Sequence, residues 1–142
     1  MLIESLMVVS SMISTGVEDY CLAFCKGERL EIAQANTWEE KAYEGAFLCL
    51  KAEEVLSPFD KYAYFKEGTK LIDQAVKAEP ESFHPRFIRY VIQYQTPAFL
   101  MYKDNLEEDA KFLREFYQNQ AAIFSPAIQE EIKRVFKELE LL

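Results

Sequence analysis

The sequence has too little glycine and proline for a fold built from many tight turns, with only 4 glycines and 5 prolines in 142 residues. An all-β sandwich or barrel needs turn residues at short, regular intervals and is therefore not expected. The 3 cysteines are an odd number, which argues against a disulfide framework and favours reduced thiols in a cytoplasmic protein. No apolar stretch reaches the roughly 18 residues that would indicate a membrane span.

Basic residues are also scarce, because 16 Lys and Arg face 24 Asp and Glu, for a formal charge of −8. Such a chain repels phosphate backbones, and we expect no nucleic-acid partner. The sequence carries no phosphate-binding loop and a single histidine. We therefore predict no catalytic residues, no metal, no cofactor and no enzymatic activity.

Hydrophobic residues, in contrast, make up 50% of the chain, and they recur every three or four positions. This spacing is typical of amphipathic helices. We predict an all-α fold, a compact bundle of about six or seven helices stacked as antiparallel hairpins. The chain length favours a single domain over residues 1–142.

The first predicted helix covers residues 1–25 and has room for a break near Gly16. Its apolar stripe begins Leu2, Leu6, Val9. A secretory signal needs a positively charged start, which is missing, so we favour a domain helix over a targeting segment. A surplus of apolar surface here predicts packing between neighbours or against a second copy of the chain.

A short helical stretch is predicted at residues 28–34, followed by a hairpin over residues 38–80. Thr37 and Glu40 have the spacing of a capping box at its start. Ser57–Pro58 ends the first helix of the hairpin. The second helix runs from about Asp60 to Ala78 and is expected to turn Tyr62 inward.

The second helix of this hairpin carries a family pattern in residues 65–80. Gly68, Ile72, Ala75 and Pro80 have the spacing of the small, bulky, small and proline positions in the second helix of a tetratricopeptide repeat. The segment resembles that family, without its first-helix pattern and without a second copy of the repeat. The resemblance implies an atypical tetratricopeptide-like hairpin, and it brings no activity.

A second hairpin is predicted over residues 84–118, followed by a capping helix over residues 126–142. Asp104 and Glu107 have capping-box spacing at the start of the second helix of this hairpin. The last helix shows a two-heptad apolar seam, which predicts a cap over the core and a surface for self-association: Ile128, Ile132, Val135, Leu139, Leu142.

Two groups of residues are candidates for chemistry. Cys21, Cys25, Cys49 and His84 are weak candidates for a metal or a nucleophile, because their spacing does not bring four ligands together and no third orienting group is evident. Arg86 and Arg89 lie one turn apart on a helix rich in aromatic residues. They are expected to stack on aromatics and to pair with Glu108 or Asp109 of the next helix.

The alternative for these arginines is an anion-binding groove, whose candidate residues are Arg86, Arg89, Tyr90, Tyr94 and Tyr102. Stacked helical hairpins form concave surfaces that bind peptides or partner helices. We therefore predict a non-enzymatic protein-interaction module, with an unknown protein or peptide partner. The alternative function is a small-molecule-binding protein with an aromatic pocket lined by arginine.

Overall fold

A computed structural model describes residues 16–142. Residues 1–15 of the first predicted helix, which covers residues 1–25, lie outside the described residues. Within residues 16–142 the chain forms six α-helices and no strand, which confirms the all-α fold class. Two short 3₁₀ turns, Ala98–Leu100 and Ala121–Ile123, lie in the connections. The helices are α1 (Val17–Cys25), α2 (Trp38–Glu54), α3 (Pro58–Ala78), α4 (Phe83–Gln95), α5 (Leu106–Gln120) and α6 (Pro126–Glu138).

Helices α2 and α3 form an antiparallel hairpin whose two backbones touch. A Cβ atom on Gly45 would lie 2.5 Å from the carbonyl oxygen of Gly68, and the reverse distance is the same. Only glycine permits this approach, which explains why α3 keeps Gly68 in its interior at a cost of about 1 kcal/mol.

Helix α4 packs on both α2 and α3, α5 folds back on α4, and α1 lies between α2 and α6. Helices α2 and α4 run in the same direction, so the bundle has two distinct ends. The end where α4 begins, near Tyr43 and His84, is called the His84 end. The end where α2 and α4 finish, near Leu50 and Gln95, is called the Gln95 end.

An aromatic cluster fills the core towards the His84 end. Phe83 lies at its centre, with ring centroids 5.2 Å from Phe87, 4.9 Å from Phe116 and 5.0 Å from Phe124. Aromatic pairs at this spacing add about 0.5–1.5 kcal/mol each beyond their buried area. The seam of α6 joins the same core, because Ile128, Ile132, Val135 and Leu139 are all buried. These four seam residues therefore form the predicted cap, whereas Leu142, the fifth, is 55% exposed.

Three local predictions are wrong. Residues 28–34 form no helix, because Gly27 takes a left-handed φ of 72° at the end of α1 and the chain then passes beside Glu44 and Leu48 of α2 without regular structure. Asp104 does not cap α5, whose N-cap is Asn105, and the Asn105 N–H is bound by the side chain of Gln93. Helix α6 ends at Glu138, since Glu140 takes a φ of 64°.

The capping prediction for α2 is confirmed. The Glu40 N–H donates to Thr37 Oγ1 at 3.1 Å, and the Thr37 N–H donates to Glu40 Oε1 at 3.0 Å. Helix α3 begins at Pro58, two residues before the predicted start, because proline suits the first helical position. The hairpin of α2 and α3 and that of α4 and α5 both have nearly the predicted bounds.

Candidate functional site

Among residues 16–142 an open groove lined mainly by apolar side chains lies at the Gln95 end, with a volume of about 590 Å³. It is called the apolar groove. Three parts of the chain form its walls: the last turns of α2 with Leu50, the first turns of α3 with Tyr62 and Phe65, and the end of α4 with the 3₁₀ turn that carries Phe99. The groove opens to solvent, unlike the packed core beside it.

Exposed hydrophobic side chains are concentrated at this groove. Among residues 16–142, seven large hydrophobic side chains are strongly exposed, and five of them line the groove or lie within two residues of a lining residue: Leu56, Phe59, Tyr62, Phe99, Met101. Phe99 is 81% exposed and Tyr62 is 57% exposed. The prediction that Tyr62 turns inward is wrong, because its side chain lines the open groove.

The loop that carries Phe99 is held at its start by side-chain hydrogen bonds. Thr96 Oγ1 donates to the carbonyl oxygen of Ile92 at 2.6 Å. Lys103 Nζ donates to the carbonyl oxygens of Gln93 and Tyr94 at 2.9 and 3.1 Å. The Lys103 ammonium thus provides hydrogen-bond donors for carbonyl groups in the last turn of α4. Phe99 is therefore presented on a fixed loop.

The far side of the same loop is anchored on α3. Tyr102 donates to Asp73 Oδ1 at 2.7 Å, and its ring meets Phe65 edge-on at 5.9 Å. Met101 takes a left-handed φ of 53°, which residues with a side chain rarely adopt. Such backbone strain persists only where surrounding contacts hold it, and it is frequent at binding sites.

On the opposite wall of the groove, Lys61 links the start of α3 to the end of α2. Its ammonium donates to the carbonyl oxygens of Ala52 and Glu53 at 3.3 Å each, which satisfies the end of α2. Lys61 and Glu53 are the two charged side chains of the lining. The groove therefore combines an apolar floor with one cation and one anion at its edge.

Arg86 and Arg89 lie on α4 away from the apolar groove, and both form ion pairs with acidic residues of α5. Asp109, which is 0% exposed, accepts from Arg89 Nε at 2.6 Å and from Arg86 Nη1 at 3.0 Å. Glu108 Oε1 accepts from both arginines at 3.0 Å, and the Arg86 guanidinium lies 4.9 Å from the centre of the Phe112 ring. The predicted pairing and stacking are confirmed. These contacts fasten α4 to α5.

The three candidate tyrosines point in different directions. Tyr90 donates to the carbonyl oxygen of Leu139 at 2.9 Å and so ties α4 to the end of α6. Tyr94 packs on the Tyr90 ring at 5.8 Å, whereas Tyr102 bonds to Asp73 on α3. None of these two arginines and three tyrosines lines the apolar groove.

A second polar cluster lies at the His84 end. It contains residues that are far apart in the sequence and were not predicted to meet. The Tyr43 hydroxyl and His84 Nδ1 are 2.7 Å apart, and Glu39 Oε2 lies 4.0 Å from His84 Nε2. Hydrogen bonding from Cys25, and further from His84 and Tyr43, lowers the pKa of Cys21 to about 5. Glu39 is therefore a third polar group beside the cysteine and histidine candidates, and sequence reasoning did not identify it.

This cluster does not form an accessible active site. Cys21 is fully buried, and so is Tyr43. A nucleophile needs a substrate within reach, and within residues 16–142 the Cys21 side chain is closed off from solvent. Cys49 lies apart, against Gly68, where burial raises the pKa of its thiol to about 12. Over the described part of the chain, no three metal-ligating side chains are grouped to hold a metal ion.

Sequence reasoning missed the apolar groove, although a signal was present. The connections between helices contain LSPF at residues 56–59 and PAFLM at residues 97–101. Loops normally carry polar residues, so apolar residues in two separate connections indicate an exposed apolar surface. Helical periodicity alone does not detect them, because they lie outside the helices or at their first turns.

Comparisons with known proteins give no relative on which to base the function. No protein-family model, curated protein or solved structure matches this chain. Among the helices of residues 16–142, none combines the length and apolar character needed to cross a membrane. The function is therefore argued from the groove itself.

Proposed function

We propose that the chain is a non-enzymatic protein-interaction module of the cytoplasm, whose apolar groove binds one segment of a partner protein. The observation that carries the proposal is the concentration of exposed apolar side chains at a preformed groove. Exposed patches of this kind mark interaction sites. The free state of the cysteines in residues 16–142 agrees with a reducing compartment.

Charge and shape indicate the partner segment. The groove volume of about 590 Å³ accommodates a few large side chains from one face of a helix. The formal charge of the chain is −8, and Glu53, Glu54 and Asp60 lie exposed beside the groove. The best match is an amphipathic helix of two to three turns, with apolar residues one turn apart and basic residues at its flanks.

The resemblance of residues 65–80 to a tetratricopeptide repeat supports this proposal and stays a prediction. Gly68, Ile72 and Ala75 are buried in the contact of α3 with its neighbours, in line with the packing roles of the matching family positions. Members of that family bind peptides on surfaces formed by stacked hairpins. The apolar groove lies on the α2–α3 hairpin that carries the resemblance.

A displayed library of random peptides about 12–16 residues long tests the proposal. The full chain is the target, and the double variant Tyr62→Asp/Phe99→Asp is used for counter-selection. We expect enriched peptides with apolar residues at i and i+4 and basic residues beside them. Their affinity should fall at least tenfold for the double variant, because two carboxylates then face the apolar side of the peptide.

Ile123→Asp is the matched control for this experiment. Ile123 is 67% exposed and lies in the 3₁₀ turn that precedes Phe124, at the His84 end. Peptides that bind this variant as tightly as the parent chain locate binding at the groove. If no peptide prefers the parent chain over the groove variant, the proposed function is wrong.

The alternative function, binding of a small apolar molecule, is favoured by the groove volume alone, which lies within the range of ligand pockets. Native mass spectrometry of the purified chain checks it. A bound small molecule that is lost from the Tyr62→Asp/Phe99→Asp variant and kept by Ile123→Asp would support this alternative. Only unliganded chain in all three samples would count against it.

A further inference from the structure

The charged side chains of the apolar groove lie on one side of it. Glu53 and Lys61 are the two charged residues of the lining, and they belong to the end of α2 and the start of α3. The opposite wall runs from the end of α4 through the 3₁₀ turn, and its residues 95–102, QTPAFLMY, carry no charge. The described lining therefore offers charge to one flank of a bound segment, the flank that faces α2 and α3.

The two charges on this side are not equally available to a partner. Lys61 Nζ uses two of its three N–H groups on the carbonyl oxygens of Ala52 and Glu53, at 3.3 Å each. The Glu53 side chain is exposed, and none of the ion pairs among residues 16–142 includes it. Residues 1–15 contain no Lys or Arg that could pair with it. The C-terminal end of α2 adds the partial negative charge of a helix terminus, so this side of the groove favours a cation.

The neighbouring carboxylate, Glu54, already has a cationic partner. Arg29, in the connection between α1 and α2, donates from Nε and Nη2 to Glu54 Oε2 at 3.1 and 2.9 Å. The Nη1 atom of the same side chain donates to Glu31 Oε1 at 2.7 Å. Arg29 is 26% exposed and is held between these two carboxylates of its own chain. A cation of a partner therefore competes with Arg29 for Glu54, whereas it meets no such competitor at Glu53 in the described part of the chain.

We propose that Glu53 selects the charge of the bound segment by pairing with one Lys or Arg on its α2-facing flank, and that Arg29 keeps Glu54 out of this contact. The inference rests on the proposed function and narrows it, because a basic residue is then required on one flank of the partner helix. A charge at the edge of an interface acts on specificity and on the association rate more than on affinity. Glu53 is thus a specificity-determining residue of the groove.

Parallel selections from the same peptide library test which residue selects the charge. The targets are the parent chain, Glu53→Lys and Glu54→Gln. We expect a basic residue beside the apolar face of peptides selected on the parent chain and on Glu54→Gln. On Glu53→Lys an acidic residue should replace it, because the reversed charge then repels a cation. A basic preference that persists on Glu53→Lys, or one that is lost on Glu54→Gln, would overturn the inference.

Fluorescence anisotropy with a labelled copy of the tightest parent-selected peptide gives the magnitude. Glu53→Gln should weaken binding about fivefold at low salt, as expected for the loss of one exposed ion pair. Glu54→Gln, the matched control one residue away, should change the affinity by less than about twofold, because Glu54 pairs with Arg29. The effect of Glu53→Gln should shrink at about 1 M salt, where the screening length is about 3 Å. Equal losses in the two variants, or a loss that salt does not reduce, would contradict the role of Glu53.

A double-mutant cycle tests the role of Arg29. The probe is the same peptide with a second Lys placed one helical turn along its basic flank. Arg29→Ala frees the Glu54 carboxylate and should tighten binding of this probe about threefold, whereas Arg29→Ala/Glu54→Gln should return it to the affinity of the parent chain. Circular dichroism checks that the helix content is unchanged. No gain in Arg29→Ala, or a gain that survives in the double variant, would show that Arg29 does not withhold Glu54.

The same peptides separate this inference from the proposed function. If a peptide is lost on Tyr62→Asp/Phe99→Asp and binds Glu53→Gln as tightly as the parent chain, the inference fails and the proposed function stands. Acidic peptides that bind the parent chain and are lost on Lys61→Gln would show that Lys61 selects the charge, with the same consequence. If no peptide prefers the parent chain over the groove variant, the proposed function fails and the inference fails with it.

Discussion

Aromatic side chains are arranged differently at the two ends of the bundle. At the His84 end the rings of Phe24, Tyr43, Phe83 and Phe87 pack on one another and are buried. At the Gln95 end Phe99 and Tyr62 face solvent on a wall built from two helices and a fixed loop. The core of this chain already buries many aromatic rings. The exposure of Phe99 and Tyr62 therefore does not result from the lack of a core.

Polar groups follow the same division. Throughout residues 16–142 no buried side-chain nitrogen or oxygen lacks a hydrogen-bond partner. The buried Asp109 accepts from two arginines, and Tyr43 bonds to His84. At the groove the hydrogen bonds of Lys103 and Lys61 hold backbone ends in place and leave the apolar surface bare. The His84 end therefore serves as the scaffold, and the Gln95 end presents an apolar surface.

The largest effect on stability is expected at Asp109. Its replacement in Asp109→Ala leaves the buried Arg89 guanidinium without its main partner, and such losses cost about 3–5 kcal/mol. Glu108→Ala is the matched control, because Glu108 contacts the same arginines with a side chain that is 58% exposed, so its loss should cost at most about 1 kcal/mol. Urea unfolding measures both. Equal losses would contradict the assignment of Asp109 as the main anchor of α4 on α5.

The next effect is expected at the crossing of α2 and α3. In Gly45→Ala the new Cβ atom meets the backbone oxygen of Gly68 at 2.5 Å, so the helices must separate. Overpacking of this kind costs about 1–3 kcal/mol, despite the better helix propensity of alanine. Gly16→Ala is the control, since its Cβ meets nothing closer than 4.0 Å. A stabilised Gly45→Ala variant in thermal unfolding would show that the contact is not tight.

A smaller effect is expected at the buried pair of Tyr43 and His84. Tyr43→Phe removes the hydroxyl and leaves His84 Nδ1 without its partner, which should cost about 1–2 kcal/mol. Tyr102→Phe removes a hydrogen bond of the same length, 2.7 Å, at the exposed Asp73, and should cost less than about 1 kcal/mol. Denaturant unfolding of the two variants side by side checks the order. The reverse order would contradict the view that the His84 end is the scaffold.

The sequence predicts the helices well and the groove poorly. Apolar spacing places α2, α3 and α4 within a few residues of their observed bounds, because one side of each helix faces the core. The Thr37–Glu40 capping box is a local signal and is confirmed. Asp104 fails as a cap because Gln93, 12 residues before Asn105, supplies a tertiary hydrogen bond that local spacing does not reveal.

The candidate site depends on contacts between distant parts of the chain. The pairing of Arg86 and Arg89 with Asp109 is predictable, since both signs of charge lie on neighbouring helices. The meeting of Tyr43 with His84, and of Tyr62 with Phe99 at one groove, depends on how helices separated in sequence cross. Hydrophobic periodicity assigns Tyr62 to the core because it does not indicate which face of α3 remains uncovered.

The central claim is that the apolar groove binds a partner and contributes little to folding stability. A groove variant that changes binding strongly and stability very little tests this claim most directly. The variant Tyr62→Asp/Phe99→Asp should unfold within about 0.5 kcal/mol of the parent chain per substitution, because both side chains are exposed. Its affinity for a peptide selected on the parent chain should fall at least tenfold, while Ile123→Asp keeps full affinity. A double variant that loses several kcal/mol of stability, or one that binds the peptide unchanged, would contradict the account.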